Sequence, residues 1–285
     1  YVRPGGIQEA LDVVKASGNG KVLMYAGGTD VIPLVKSRSI PAPDVLVDLK
    51  GIPDLDYVSL DQEGGLRTGA LASIYDVAHF TPVKDAFPIL AQAASSIAST
   101  QIQNRGTIAG NICNGVPSAD SAPALLCLEA SVMCTGAGGE DREIGLRDFF
   151  SGPRKTVLEE GEMVREIRVP PVRGKGVYLK LSPRSRMDLA VVGVAVVAET
   201  RDGVFTDVRI GLGAVGPTPL RAQGAEALLL GEKVRKEILE EAAHKASEEA
   251  SPIDDHRASA EYRRLMVEVL VKRGLQQVTS NGTVL

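Results

Sequence analysis

The stretch Ala26-Gly27-Gly28-Thr29-Asp30 follows a short apolar segment, residues 21–26, and precedes a helix-like segment, residues 31–36. The paired glycines carry no Cβ, so successive backbone N–H groups stay uncovered and an anion can approach them closely. The helix start adds partial positive charge, and Thr29 offers a hydroxyl donor. These features predict a phosphate-binding turn, although turns of this kind also serve as plain connections.

A second stretch with related chemistry is Gly106-Thr107-Ile108-Ala109-Gly110-Asn111. It combines a small-residue turn with hydroxyl and amide side chains, which can contact the other side of a bound pyrophosphate. Neither stretch is followed by the lysine that a P-loop requires, so a nucleoside triphosphate is not indicated.

On either side of these stretches, the pattern of apolar residues predicts alternating strands and helices at first, and then a mixture of short strands with three helices. The first fifty residues predict a β-α-β-α-β order, with Ile7, Ala10, Leu11 and Val14 on one helical face. The following part mixes short strands with predicted helices at residues 73–80, 88–99 and 118–130. A length of 285 residues is compatible with about two domains.

Beyond Pro170-Pro171, which marks a natural boundary, the character of the chain changes. Asp202-Gly203 predicts a hairpin turn between two strands. We therefore expect an antiparallel sheet with helices on one face. The strands are predicted at residues 176–181, 190–199 and 204–212, and the helices at 232–250 and 257–273.

The stretch Gly211-Leu212-Gly213-Ala214-Val215-Gly216 matches the G-x-G-x-x-G pattern of dinucleotide sites. Such a site needs a buried parallel strand before it and a helix that opens at it. Here the preceding residues alternate between apolar and polar, as in a half-exposed antiparallel strand. Pro217 and Pro219 follow and delay any helix. We therefore interpret these glycines as a strand end and a turn.

Composition and charge exclude several classes of function. The net charge is -4 and no block of Lys or Arg is present, which argues against a nucleic-acid partner. The longest apolar run, residues 189–198, is too short to span a membrane, and no signal peptide is visible. The three cysteines are too few for an iron–sulfur cluster and fit a reducing compartment, the cytoplasm. The scattered histidines predict no metal site.

Together, the two glycine stretches resemble those of the FAD-binding medium subunits of the molybdenum hydroxylases. That family includes the carbon monoxide dehydrogenase medium subunit and the flavin domain of xanthine dehydrogenase. Ala109 stands where the family usually has a glycine, so we expect either a negative φ at this position or a slightly altered loop. The resemblance covers nearly the whole chain and includes residues 1–4, 117–120, 162–170, 178–181 and 211–219.

The resemblance implies roles for individual residues. The first stretch wraps the FAD pyrophosphate, mainly through the backbone of Met24, Tyr25, Ala26, Gly27, Gly28, Thr29, Asp30 and Val31. The other side is closed by Thr107, Gly110 and Asn111. Four further residues are implied near the flavin: Asp120 by a polar contact, Val164 by its backbone, Tyr178 over one face of the ring, and Lys180 from the C-terminal domain.

The implied fold is α+β, with a two-lobed FAD-binding domain of the PCMH type. Its lobes lie at residues 1–52 and 53–170, and residues 173–285 form an α+β domain with a three-stranded antiparallel sheet and helices.

The implied function is that of an oxidoreductase subunit that binds FAD non-covalently and has no catalytic acid or base of its own. Its implied partners are a large molybdenum-cofactor subunit, which oxidises the substrate, and a small 2Fe–2S subunit, in a dimer of heterotrimers. The acceptors open to it are NAD, a quinone, a carrier protein and oxygen.

Two other functions remain open on the residues alone. A stand-alone flavin oxidase or reductase of the same two-lobed fold would need its own base and a larger C-terminal domain. A non-catalytic assembly module would have lost the flavin, and the intact glycine stretches argue against it.

Overall fold

The first helix of the protein buries the face that its sequence predicts. In the computed structural model, which describes residues 1–18, 20–136, 138–184 and 187–280, α1 (Ile7–Ala16) buries Ala10 and Leu11 at 0% exposure. The next elements are β1 (Val22–Tyr25), α2 (Val31–Lys36) and β2 (Val45–Asp48), and the two strands pair in parallel. The first of the three predicted strands is reduced to one bridge between Val2 and Val47. Pro4 has no N–H to extend that pairing.

The middle part of the chain forms a five-stranded antiparallel sheet in the order β3-β4-β9-β5-β6. Helices cover one face of this sheet and enclose the largest apolar core. Two 3-10 turns, Leu49–Gly51 and Pro53–Leu55, lead into it. Its elements are β3 (Val58–Leu60), β4 (Leu66–Gly69), α3 (Ile74–His79), α4 (Thr81–Ala86), α5 (Pro88–Ser95), α6 (Thr100–Gln103), α7 (Ile108–Cys113), α8 (Ser121–Cys127), β5 (Ser131–Thr135), β6 (Asp141–Gly145), α9 (Leu146–Phe149), the hairpin β7 (Phe150–Gly152) and β8 (Lys155–Thr156), and β9 (Met163–Val169).

The predicted helices of this part are present but shorter than expected. The helix predicted at residues 88–99 ends at Ser95, and the one predicted at 118–130 is limited to Ser121–Cys127. Helices α4, α6, α7 and α9 were not predicted. Helix α3 ends at His79 because Phe80 is extended, with φ -62° and ψ 118°. Helix α4 then begins at Thr81 with Pro82 in its first turn, where a missing N–H costs no helical hydrogen bond.

The C-terminal part contains an antiparallel sheet in the order β10-β11-β12-β13. The predicted three strands are present, and a two-residue fourth strand, which was not predicted, extends the sheet. Asp202 and Gly203 both have positive φ, 53° and 73°, which confirms the predicted hairpin turn. The elements are β10 (Lys175–Leu181), β11 (Val192–Arg201), β12 (Val204–Gly213), β13 (Leu220–Arg221), α10 (Gln223–Leu229), α11 (Lys236–Glu249) and α12 (Ala260–Thr279).

Both faces of this sheet are covered, which corrects the expectation of helices on one face only. Val194 and Val196 belong to the core shared with α11 and α12, and β11 packs directly on α12. Ala195 and Val197 belong to the core of the middle part, with residues of α5 and α8. Strand β11 therefore reads as a continuous apolar run, because each of its residues 192–198 is buried. Within the described residues, no helix is long and apolar enough to cross a membrane.

The G-x-G-x-x-G stretch ends strand β12, as predicted, and opens no helix. The expectation of a half-exposed strand holds only for its first half, since residues 210–213 are buried. A Cβ at Gly211 would lie 2.4 Å from the carbonyl oxygen of Pro123 in α8. These glycines thus allow close packing of strand on helix.

Candidate functional site

The two glycine stretches touch each other. A Cβ at Gly27 would lie only 1.9 Å from the carbonyl oxygen of Arg105, so only glycine permits this approach. A Cβ at Gly106 would lie 3.4 Å from Thr29 Oγ1. Gly28 has a φ of 74°, a conformation that L side chains rarely adopt. The fold therefore brings together two segments that the sequence separates widely.

Five consecutive backbone N–H groups, those of residues 27–30 in the first stretch and of Val31 at the start of α2, donate to no other atom among the described residues. Residues 27–29 and 31 are half-buried and Asp30 is exposed, so this row of donors is available to the oxygens of a ligand. Helix α2, which follows, has 6 residues, and its dipole is correspondingly a minor contribution. The free N–H row fits the pyrophosphate of FAD.

The second stretch is not an open loop, which corrects the expectation for it. Thr107 caps the short helix α7, with its Oγ1 accepting from Gly110 N at 2.9 Å. Asn111 Oδ1 accepts from Ser121 Oγ at 2.6 Å, so Ser121 fixes the orientation of the amide. Ala109 lies inside α7 and is not among the residues with positive φ, which confirms the first of the two alternatives predicted for it, a negative φ.

A buried polar group joins the middle part to the C-terminal sheet. Asp120 is 6% exposed, and its two oxygens accept from Tyr178 OH at 2.7 Å and from Lys180 Nζ at 2.8 Å. Lys180 Nζ also donates to the carbonyl of Ser96 at 3.1 Å. Burial raises the pKa of Asp120, while Lys180 and Tyr178 oppose the shift by donating to the carboxylate.

Tyr178 is buried together with this carboxylate. Burial, and then the charge of Asp120, raises the pKa of Tyr178 well above 10, so its hydroxyl remains a donor at neutral pH. Its backbone N–H donates to Gln92 Oε1 at 2.9 Å, which fixes strand β10 against α5. Tyr178 is therefore held at two points, its hydroxyl by Asp120 and its backbone N–H by Gln92.

A cavity of about 710 Å³ opens beside Lys180, between the end of α5, helix α6 and the segment after β10. Most of the residues that line it are polar, and Lys180 both lines the cavity and pairs with Asp120. The lining residues are Tyr75, His79, Ser95, Ser96, Ala98, Ser99, Thr100, Gln101, Gln103, Lys180, Leu181, Ser182, Arg184 and Met187. Helix α6, whose residues line this cavity, is followed in the chain by Gly106 of the second stretch.

The structure groups most of the predicted site residues. Gly27 and Thr29 meet Arg105 and Gly106 just before α7, and Asp120, Tyr178 and Lys180 meet each other. Met24 and Tyr25 lie half-buried in β1 beneath the first stretch. Val164 is 5% exposed in the core, where β9 packs against α7, and it does not line the cavity. Tyr178 does not line it either, so its expected place over a ring stays a prediction.

Three contributors to the site were not predicted. Gln92 and the carbonyl of Ser96 hold Tyr178 and Lys180, and Ser121 holds Asn111. Gln92 and Ser96 lie in or next to a helix that was predicted from its apolar residues, so they gave no signal of their own. Their partners are 86 and 84 residues away in sequence, beyond the reach of a local pattern.

Comparison with known protein families assigns both parts of the chain. Residues 1–172 match the family described as "FAD binding domain in molybdopterin dehydrogenase". Residues 177–278 match the family "CO dehydrogenase flavoprotein C-terminal domain". The fold and the site thus define a FAD-binding flavoprotein with an α+β C-terminal domain.

The chain aligns with individual relatives over almost the full length of both proteins. The chain is 34% identical over 279 residues to the glyceraldehyde dehydrogenase medium chain of Sulfolobus acidocaldarius, covering 98% of this chain and 97% of that protein. It is 35% identical over 277 residues to the carbon monoxide dehydrogenase medium chain of Hydrogenophaga pseudoflava, covering 96% and 95%. The chain belongs to the family of FAD-binding medium subunits of the molybdenum hydroxylases.

Solved structures show the same fold. Carbon monoxide dehydrogenase from Hydrogenophaga pseudoflava superposes with a TM-score of 0.93 at 35% identity, covering 98% of this chain and 96% of that chain. Quinoline 2-oxidoreductase from Pseudomonas putida 86 gives a TM-score of 0.91 at 25% identity, covering 97% and 95%. The protein is accordingly an oxidoreductase subunit whose cofactor is FAD, as predicted, and these relatives favour that function over a stand-alone flavin oxidase.

Proposed function

We propose that FAD lies along the path from the first glycine stretch to the cavity beside Lys180. The observation that carries this proposal is the row of free N–H groups at residues 27–31, in contact with the second stretch. Residues 24–31 would hold the pyrophosphate on one side, and Thr107, Gly110 and Asn111 would close the other. When bound, FAD supplies the electron-carrying chemistry of the subunit.

The residues of this chain bind and orient the cofactor, and they determine the charge around its ring. Lys180 reaches the cavity wall with its ammonium held by Asp120 and the Ser96 carbonyl, so it presents a fixed donor there. Because Asp120 neutralises that charge, the pair adds little net charge to the cavity. Tyr178 and the backbone of Val164 complete the proposed ring site.

We further propose that the subunit works beside a large molybdenum-cofactor subunit and a small 2Fe–2S subunit, in a dimer of heterotrimers in the cytoplasm. In support, relatives are named as the medium chain or a subunit of their enzymes. The three cysteines are free thiols, which fits a reducing compartment. Electrons would enter from the cluster subunit and leave to NAD, a quinone, a carrier protein or oxygen.

The proposed domain boundaries are 1–52 and 53–170 for the two FAD-binding lobes, and 173–285 for the C-terminal domain. In support, strand β9 ends at Val169, and the two family matches end and begin at residues 172 and 177.

Acid precipitation of the purified protein tests the proposed mode of binding. We expect all flavin in the supernatant, with FAD identified by chromatography, because no side chain of the first stretch is a histidine or cysteine that could attach it covalently. Yellow colour retained in the pellet would contradict non-covalent binding. A colourless protein that gains no flavin spectrum on titration with FAD would contradict the proposal as a whole.

A further inference from the structure

A cluster of charged and aromatic side chains lies directly beneath the first glycine stretch. Lys50 Nζ donates to the carbonyl oxygen of Ala26 at 2.9 Å and pairs with Asp48 Oδ1 at 2.5 Å. It also lies 3.9 Å from the centre of the Tyr25 ring. Tyr1 OH donates to the other oxygen of Asp48 at 2.7 Å. We call Tyr1, Tyr25, Asp48 and Lys50 the Lys50 cluster.

The donors of Lys50 are fully used within this cluster. An ammonium has three N–H groups, and here one meets Asp48, one meets the Ala26 carbonyl, and the third direction is covered by the Tyr25 ring. No donor is left for a phosphate oxygen. Lys50 therefore acts on a ligand only through the backbone that it holds.

The bond to Ala26 fixes the direction of the next N–H group. The peptide between Ala26 and Gly27 is planar and trans, so its N–H points opposite to its C=O. Because Lys50 holds the carbonyl, the N–H of Gly27 is turned away from Lys50, and it is free, as are the N–H groups of residues 28–31. A carbonyl turned the other way would place negative charge beside a bound anion.

The cluster remains charged over the whole neutral range of pH. Asp48 is 3% exposed, and burial acts to raise its pKa. Hydrogen bonds from Lys50 and Tyr1 outweigh that effect and lower the pKa of Asp48 to about 2. Lys50 thus keeps a charged partner wherever the protein functions.

We propose that Lys50 is a positioning residue for the pyrophosphate loop, which turns the Gly27 N–H towards the ligand. The inference rests on the proposed function, since it assumes that the FAD pyrophosphate lies on residues 27–31. It predicts that Lys50 contributes to the affinity for FAD without contributing to the affinity for flavins that lack a pyrophosphate.

The test uses the full chain freed of flavin and compares its affinities for FAD and riboflavin. The double variant Lys50→Met/Asp48→Asn removes the ion pair without leaving a buried charge alone. We expect its dissociation constant for FAD to rise about tenfold, the loss of one well-placed hydrogen bond, with that for riboflavin unchanged. The single variant Lys50→Arg can still donate to Asp48 and to the Ala26 carbonyl, so it should keep an affinity for FAD close to that of the wild type.

Three results would overturn the inference. They are wild-type FAD affinity in the double variant, an equal loss of riboflavin affinity, and a loss of FAD affinity in Lys50→Arg when that protein melts at the wild-type temperature. A loss of FAD affinity in Gly28→Ala, combined with no loss in the double variant, removes the Lys50 inference alone. Unchanged FAD affinity in both variants removes the proposed pyrophosphate site as well.

Discussion

Gly28 combines two constraints at one residue. Its φ is 74°, and an added Cβ would lie 3.1 Å from Tyr25 and 3.2 Å from Ile32. Gly203 has nearly the same φ, 73°, but an added Cβ would meet nothing within 4 Å. An alanine at either position would be strained by the positive φ. Only at Gly28 would its Cβ also press on neighbouring side chains and displace the proposed pyrophosphate loop.

We expect Gly28→Ala to lower FAD retention at least tenfold and Gly203→Ala to leave it unchanged. Both variants should lose about 1 kcal/mol of stability, because alanine is strained at positive φ. Flavin content per chain, measured by absorbance, and urea unfolding of the flavin-free protein separate the two effects. Equal flavin loss in both variants would assign the effect to stability and not to the site.

At the scale of elements, the close packing of β12 on α8 links the C-terminal sheet to the helix that Asp120 precedes. Gly211 approaches the Pro123 carbonyl, and a Cβ at Gly213 would lie 2.8 Å from the Pro123 ring. Glycines that resemble a dinucleotide motif thus set the distance between a strand and a helix.

We expect Gly211→Ala to lower the melting temperature by several degrees, because the strand and α8 must move apart and open a gap in a close-packed core. FAD affinity should fall less than in Gly28→Ala, since the pyrophosphate loop is not touched. Thermal unfolding and FAD titration of the two variants side by side measure this. The idea fails if Gly211→Ala abolishes FAD binding at unchanged stability.

The start of helix α12 carries a second element-scale prediction, on pH. Asp255 accepts from Arg257 N at 2.8 Å, Ala258 N at 3.2 Å and Arg263 Nη2 at 2.7 Å. Burial acts to raise its pKa, but these donors outweigh burial and lower the pKa from 3.8 to about 2. A carboxylate with a lowered pKa in the folded state stabilises it above about pH 4, and this contribution is lost as the pH falls towards 2.

We therefore expect Asp255→Asn to cost about 1 kcal/mol near pH 6 and almost nothing near pH 2. The full pKa difference would correspond to about 2.5 kcal/mol, and partial exposure of the side chain to water reduces it. Denaturant unfolding of both proteins at the two pH values gives the difference. Asp85→Asn, at an exposed carboxylate, is the control. A cost that stays the same at both pH values would refute this account.

At the scale of the whole molecule, the proposed ring site exists only because two parts of the chain pack together. Asp120 comes from the middle part, while Tyr178 and Lys180 come from the C-terminal sheet, whose inner face belongs to the core of the middle part. Within the described residues, no group of three or more His, Cys, Asp or Glu side chains could hold a metal ion. FAD is the cofactor that the family match assigns to this chain.

We expect the purified chain, reconstituted with FAD, to be reduced by dithionite and reoxidised by air. Aldehydes, purines and N-heterocycles should leave its oxidised spectrum unchanged, because substrate oxidation is proposed to occur on a partner subunit. Anaerobic titration followed by absorbance tests this, with dithionite as the positive control. Direct bleaching of the flavin by any of these substrates would make the chain a self-sufficient enzyme.

Local causes explain the features that the sequence alone determined. The buried face of α1, the Asp202-Gly203 hairpin, the continuous apolar run of β11 and the negative φ of Ala109 each depend on residues close together in the chain. The two glycine stretches and the family also followed from sequence, because their residue types are rare in combination.

Only the tertiary structure decided how these parts meet. Gly27 against the Arg105 carbonyl, Lys50 on the Ala26 carbonyl, and Asp120 between Tyr178 and Lys180 all join residues far apart in sequence. Strand alternation shows how deeply a face is buried and does not show which element covers it, so the second covered face of the C-terminal sheet was missed. Residues whose role depends on a partner far away in the chain show no local sequence pattern, because packing of the folded protein decides which partner they meet.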